Sequence, residues 1–290
     1  MNLTTEIEKN VSLALAEDIG TGDLTASLIP AEETATATVV SRENIVLCGI
    51  QWFEACFGQL ARQTRVRWFA QDGAAISAGQ KLCEVTGNAR TLLSAERSAL
   101  NFLQLLSAIA TQTKCYVEAV SGTGALIVDT RKTLPGLRLA QKYAIRCGGG
   151  ANHRLGLYDG ILIKENHIIA AGGIERALRA AEAIAPPGIF IEIEVETLDD
   201  LRGALHAGAR MILLDNFDLA GLRDAVALNA RLTGKKTVLE ASGGISLGNI
   251  RAIAETGVDR ISIGSLTKDI KAADLSMRFS SRHSAHEPPG

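Results

Sequence analysis

The chain has 290 residues, 47% of them hydrophobic and 4% aromatic, with a formal net charge of -2. That length accommodates one large α/β domain and a smaller one with a core that needs no covalent staples. Near-neutral charge and few aromatics argue against a nucleic-acid partner, which requires a broad basic face or stacking residues.

The five cysteines (Cys48, Cys56, Cys83, Cys115, Cys147) form no CxxC pair and are odd in number. That pattern points to reduced thiols rather than a disulfide framework or a zinc site, and so to a cytoplasmic protein. The N-terminus has no basic start followed by an apolar run, and no segment is long and uncharged enough to span a bilayer. Neither a signal peptide nor a membrane partner is expected.

Residues 3–17 predict an amphipathic helix with Ile7, Val11, Leu13 (or Ala14) and Leu15 on the apolar side, running into AEDIGTGDLT, where Gly20 and Gly22 force a turn. Between Ala35 and Glu84 the pattern shifts to short alternating runs, ATATVVSREN, IVLCGI, RVRWFA and KLCEVTG. Turn residues separate them, which predicts a small, largely antiparallel sheet with a helix over Gln51–Arg62. No nucleophile or metal cluster lies in this part, so it reads as scaffold or interface. Thr91–Val120 then predicts a long linking helix, with Ser94 as N-cap and Arg97 in the first turn. The helix dipole disfavours a cation there, so Arg97 would either face an anion or pair with the adjacent Glu96 or another acid.

From Ile127 to Ile168 the chain concentrates charge. Between Asp129 and Glu165 stand seven Lys/Arg (Arg131, Lys132, Arg138, Lys142, Arg146, Arg154, Lys164) against three acids. Such a cluster repels itself unless a polyanionic ligand neutralises it. Arg138, Lys142 and Arg146 recur every four residues and read as a solvated helix face. Arg131, Lys132, His153, Arg154 and Lys164 stand instead at strand ends or beside glycines, where backbone can approach a ligand.

Six apolar runs, ALIVDT, ILIK, IFIEIEV, RMILLD, TVLEAS and RISIGS, alternate with helices predicted over Leu137–Cys147, Ile174–Ile184, Leu198–Ala207, Leu219–Leu232 and Leu247–Thr256. The regular βα succession with short connections predicts a parallel sheet closed towards a barrel. Catalytic groups in a barrel collect at the C-terminal strand ends, and here those ends carry Asp129 to Lys132, Lys164, Glu194, Asp215, Ser242-Gly243-Gly244 and Gly264-Ser265. Glycines ahead of helices after the last two strands fit a phosphate seat. One substrate would use all of this: a phosphate at one end and a magnesium-bound pyrophosphate at the other, near Glu194 and Asp215. Alternatively, these acids merely pair with the neighbouring Lys and Arg.

The runs AEDIGTGDLT, ERSALNFLQLLSAIAT, DTRKTLPGLR, GGGANHRLGLYDGILIKENH, EVE, LLDN and EASGGI, in this order, resemble the nicotinate-nucleotide pyrophosphorylase (carboxylating), or quinolinate phosphoribosyltransferase, family over about residues 11 to 277. The resemblance implies an α/β protein with a sandwich-like N-terminal α+β domain beside an incomplete TIM-like barrel, working as a homodimer or hexamer. It implies formation of nicotinate mononucleotide, carbon dioxide and pyrophosphate from quinolinate and phosphoribosyl pyrophosphate, with Mg2+, in NAD biosynthesis.

By the same resemblance, Arg131, His153, Arg154 and Lys164 receive quinolinate's carboxylates, with Arg97 reaching in from the partner subunit. Lys132 lies between the two substrates. Glu194 and Asp215 face the ribose hydroxyls and the metal. Ser242, Gly243, Gly244 and Gly264 hold the 5′-phosphate, and Lys268 stands where relatives carry histidine.

Other readings stay open at this level: an aldolase-like Schiff-base lysine at Lys164, the molybdenum-transport-associated relative that shares TRKT and HRLGL, and a catalytically silent binding homologue. The expected organisation is an N-terminal domain over 1–115, a barrel over 116–279 and a disordered tail over 280–290, in which His283 and His286 are too few for a metal site.

Overall fold

The structure, a computed structural model, describes residues 3–280, so the tail from residue 281 onward lies outside the described residues. The chain divides into two compact units. The first comprises residues up to Thr111, Leu139–Gly148 and the stretch from Ile270; the second comprises Gln112–Arg138 and Gly149–Asp269.

In the first unit a four-stranded sheet runs in the order Leu275–Phe279, Thr34–Ser41, Lys81–Asn88, Arg65–Trp68, with antiparallel pairing throughout. Ala37, Val39, Leu82, Cys83 and Val85 are buried, and Thr36 and Thr86 meet across the strands on the open face. Helix Ile50–Leu60 buries Trp52, Phe53, Cys56 and Phe57, and the Phe53 ring meets Trp68 edge-on at 5.2 Å. Each large apolar side chain enclosed in this way stabilises the fold by about 1.5–3 kcal/mol. The Trp52 indole N–H donates to Asn10 Oδ1 at 3.1 Å, which ties the N-terminal helix Thr4–Ile19 to this core.

Three expectations are corrected here. Leu275–Phe279, placed with the barrel by its position in the chain, is an edge strand of this first sheet. Alternation in LSMRF, with Leu275 and Met277 buried, supports that role. Lys142, read as solvated, is fully buried, whereas Arg146, one turn on in helix Arg138–Cys147, is exposed: the four-residue spacing does not by itself make a solvated face. The long helix begins at Ala89, so Ser94 is not its cap: the Ser94 hydroxyl donates to Asp23 Oδ2 at 2.7 Å, and exposed Arg97 stands well past the first turn.

The second unit is built on the six predicted parallel strands, ordered Leu126–Val128, Arg260–Ser262, Val238–Ser242, Met211–Asp215, Ile191–Val195, Ile161–Ile163. The two strands that come first in the chain occupy opposite edges, so the sheet is an incomplete α/β barrel. Ile127, Val128, Ile193, Ile212, Leu214, Leu239 and Ile261 are buried, as strands covered on both faces require. Helix starts are fixed by side-chain caps. Thr197 Oγ accepts the Asp200 N–H at 3.1 Å, and Asp218 Oδ1 accepts the Gly221 N–H at 2.7 Å. Thr197 and Asp218 follow closely on the C-terminal strand ends at Val195 and Asp215.

Candidate active site

At those strand ends lies a cavity of about 400 Å³ whose wall includes Arg131, Lys132, His153, Arg154, Lys164, Glu194 and Asp215. A second cavity of about 450 Å³ adjoins it, with Ser242, Gly243, Gly244, Gly264 and Lys268 in its wall. The two share Thr130, Lys132, Asp215, Ser242 and Ser262. Twelve of the thirteen site residues expected from sequence are thus brought together; the thirteenth, Arg97, belongs to the other unit.

The cationic half is positioned by two acids, Asp129 and Asp159. Asp129, fully buried at the end of its strand, accepts the His153 N–H at 2.9 Å and the Asn152 amide at 2.7 Å. Asp159 accepts the N–H groups of Leu155 and Gly156, and Arg138 donates to Thr133 and to the Leu155 carbonyl. These bonds make the glycine-bounded loop a fixed platform. Arg154, only 8% exposed, has its pKa lowered by burial and then by the positive charge of Arg131. Among the described residues, Arg131 Nε is buried with no hydrogen-bond partner. A buried donor without a partner beside a like-charged neighbour is costly, and an anion is the partner that would relieve it.

Lys132 is held from both sides of the barrel opening. Its N–H donates to Thr130 Oγ at 3.1 Å, and its carbonyl accepts the Thr267 hydroxyl at 2.8 Å. A Cβ on Gly264 would come within 3.0 Å of Lys132 Cδ, so glycine there makes room for the lysine stem.

In the second cavity Gly243 and Gly244 have φ of +99° and +60°. A Cβ on Gly243 would fall 2.0 Å from Asn216 Oδ1. Only glycine lets the loop lie against Asn216, itself at φ +57° with its amide donating to Asp215 at 2.9 Å. The Ser265 hydroxyl is buried there without a partner among the described residues, a donor suited to a phosphate oxygen.

Lys164 Nζ lies 3.2 Å from Glu194 Oε2, so one carboxylate does pair with a site lysine. Lys164 is half-exposed, the opposite of the apolar pocket that activates a Schiff-base lysine. His167 is a cap, its Nδ1 accepting the Lys164 N–H at 3.0 Å. The donor set for a cation is two carboxylates on adjacent strand ends, Glu194 and Asp215, facing a cavity open to substrate oxygens. Hard oxygen donors few in number fit Mg2+, which retains water and substrate oxygens in its shell.

Sequence reasoning missed the buried group beneath this wall. Glu192 and Glu240 are fully buried, His153 Nε2 is 2.6 Å from Glu192 Oε2 and 3.9 Å from Glu240 Oε1, and Arg260 Nε is 3.0 Å from Glu240 Oε2. Burial first pushes both carboxyls up to about 7. The signal was available: a glutamate in mid-strand between apolar residues, as in IEI and LEA, demands a partner.

Comparison with known proteins agrees with this geometry. The family description "Quinolinate phosphoribosyl transferase, C-terminal domain" matches residues 109–278, and its N-terminal counterpart matches residues 23–107. The nicotinate-nucleotide pyrophosphorylase (carboxylating) of Mycobacterium leprae is 44% identical over 271 residues, covering 91% of this chain and 94% of that one. The solved nicotinate-nucleotide pyrophosphorylase of Francisella tularensis superposes with a TM-score of 0.90 at 44% identity, covering 95% of this chain and 96% of that one. NadC from Streptococcus pyogenes gives 0.91 at 36%, covering 97% and 100%. With both domain descriptions matched over nearly the whole length, the chain belongs to the quinolinate phosphoribosyl transferase family.

Proposed function

We infer that the protein transfers the phosphoribosyl group of phosphoribosyl pyrophosphate to quinolinate and decarboxylates the product, giving nicotinate mononucleotide, carbon dioxide and pyrophosphate for NAD biosynthesis. The observation that carries this reading is the cation pair Arg131 and Arg154, one with an orphaned buried Nε and both in the wall of a cavity continuous with a glycine-lined seat. A dicarboxylate ring fits the first cavity and a phosphate the second.

In this reading Arg131, Arg154 and Lys164 receive the two carboxylates and His153 stands at their wall, with Arg97 supplied by the partner subunit of a homodimer or hexamer. Ser242, Gly243, Gly244, Gly264 and Lys268 hold the 5′-phosphate. Glu194 and Asp215 orient the ribose hydroxyls and would hold Mg2+, which when bound offsets the charge of the pyrophosphate.

The quinolinate nitrogen lone pair attacks ribose C1 as the C1–O bond to pyrophosphate breaks. Lys132, pinned between the two cavities, faces the charge that builds on the leaving oxygen. A preorganised donor of this kind contributes on the order of 3 kcal/mol to the barrier. The ring nitrogen is then quaternary, so the electrons released when the C2–carboxylate bond breaks are stabilised at C2 until a proton arrives. No protein nucleophile takes part.

The test is nicotinate mononucleotide formation from quinolinate and phosphoribosyl pyrophosphate, with and without Mg2+, with nicotinate as the control substrate. Magnesium-dependent product from quinolinate alone supports the reading. Absence of product from a folded protein overturns it.

A further inference from the structure

The buried acid beneath the cation wall gives His153 a role different from direct contact with a ligand. Its Nδ1 accepts the Arg154 backbone N–H at 2.8 Å, which only an unprotonated ring nitrogen can do. The ring proton of the neutral imidazole therefore sits on Nε2, aimed at Glu192 Oε2 2.6 Å away. Both nitrogens are used inside the protein. Phe190 packs edge-on against the ring at 5.4 Å and is itself seated on Gly160, where a Cβ would meet it at 2.6 Å. Glu240 stands farther off, 3.9 Å from the same nitrogen, and is engaged by Arg260. Arg154, whose N–H this histidine holds, sends Nη1 to the Gly160 carbonyl at 3.3 Å and lines the cavity.

We propose that Glu192 is a positioning residue for quinolinate: it fixes His153 as the Nε2–H tautomer, which leaves Nδ1 to hold the Arg154 N–H and so sets the guanidinium that receives a substrate carboxylate. The inference rests on the reading of the site given above. It assigns Glu192, which does not line the cavity, a specific effect on one of the two substrates. Phosphoribosyl pyrophosphate is gripped by other elements, so its binding is left alone.

The test compares wild type, Glu192→Gln and Glu192→Ala as full chains, measuring kcat and KM for each substrate together with the thermal midpoint. Glutamine keeps an oxygen that can accept from Nε2 and should hold KM for quinolinate within about threefold, whereas alanine should raise it about tenfold or more by letting Arg154 drift. KM for phosphoribosyl pyrophosphate should stay within about twofold in both. Equal rises in both KM values, or glutamine as damaging as alanine, would overturn the proposal.

If the alanine variant does not fold, 15N spectra of the wild-type imidazole decide the matter: a proton on Nδ1 refutes it, and a proton on Nε2 that persists with quinolinate bound supports it. Those spectra need no turnover. An inactive wild type would therefore count against the assigned reaction while the tautomer was still read.

Discussion

Lys164 Nζ and Glu194 Oε2 lie 3.2 Å apart across the ends of adjacent strands, with Lys164 half-exposed and Glu194 17% exposed. In the proposed reading the pair balances a cation that would meet quinolinate against an acid that would face the ribose hydroxyls. Being open to solvent, it contributes at most about 1 kcal/mol to stability. Its value lies in turnover. Lys164→Ala should raise KM for quinolinate on the order of ten- to a hundredfold, the weight of a charge-assisted contact, and move the thermal midpoint little. Steady-state kinetics beside a melting curve separates the two effects; a large loss of stability with unchanged KM would show that the pair is structural.

Gly243 gives a prediction of the opposite kind. A methyl group there meets Asn216 Oδ1 at 2.0 Å and imposes φ +99° on an L-residue, so Gly243→Ala should cost about 1–3 kcal/mol and weaken phosphoribosyl pyrophosphate binding. Gly244→Ala, with φ +60° and nothing within 4 Å of the new Cβ, should cost about 1 kcal/mol. Denaturant unfolding of both variants checks the order. Equal costs would mean that Asn216 moves aside freely.

Glu240 makes stability depend on pH. Its carboxyl is pushed up to about 7 by burial and then by the charge of Glu192, against the opposing pull of His153 and Arg260. An acid with a raised folded pKa favours folding less as pH climbs from its unfolded value, and the penalty is complete above about 7. Glu240→Gln removes that slope, so its thermal midpoint relative to wild type should rise between pH 5 and pH 8. A constant difference across that range would show that Glu240 keeps the same protonation state in both forms of the chain.

Arg97 lies in the first unit, so its proposed service to a partner's site calls for a complementation assay. Arg97→Ala and Lys164→Ala should each be weak alone. After verified subunit exchange, the mixture should regain a fraction of wild-type activity, because one hybrid site is intact. No recovery would assign Arg97 to its own subunit's site or to neither.

The reach and the limit of the sequence are visible in particular residues. The six barrel strands, helix Ile174–Ile184 and the charges at the strand ends follow from local pattern, since period-2 and period-3.6 burial is imposed by backbone geometry over a few residues. Placement of Lys132, Arg154, Glu194 and Asp215 in one cavity follows in turn from βα alternation, which stacks every strand end on one face.

Partners distant in the chain were decided only by the tertiary structure. Leu275–Phe279 reads as any short apolar run until Thr34–Ser41 offers it an edge. Lys142 has the spacing of a surface lysine but is fully buried. Ser94 looks like a cap until Asp23, 71 residues earlier, claims its hydroxyl. Glu192 and His153, 39 residues apart, acquire their joint chemistry only because desolvation forces a buried acid to find a proton. Local periodicity is written along the chain, whereas burial and pairing are properties of space, and folding brings these groups to one place.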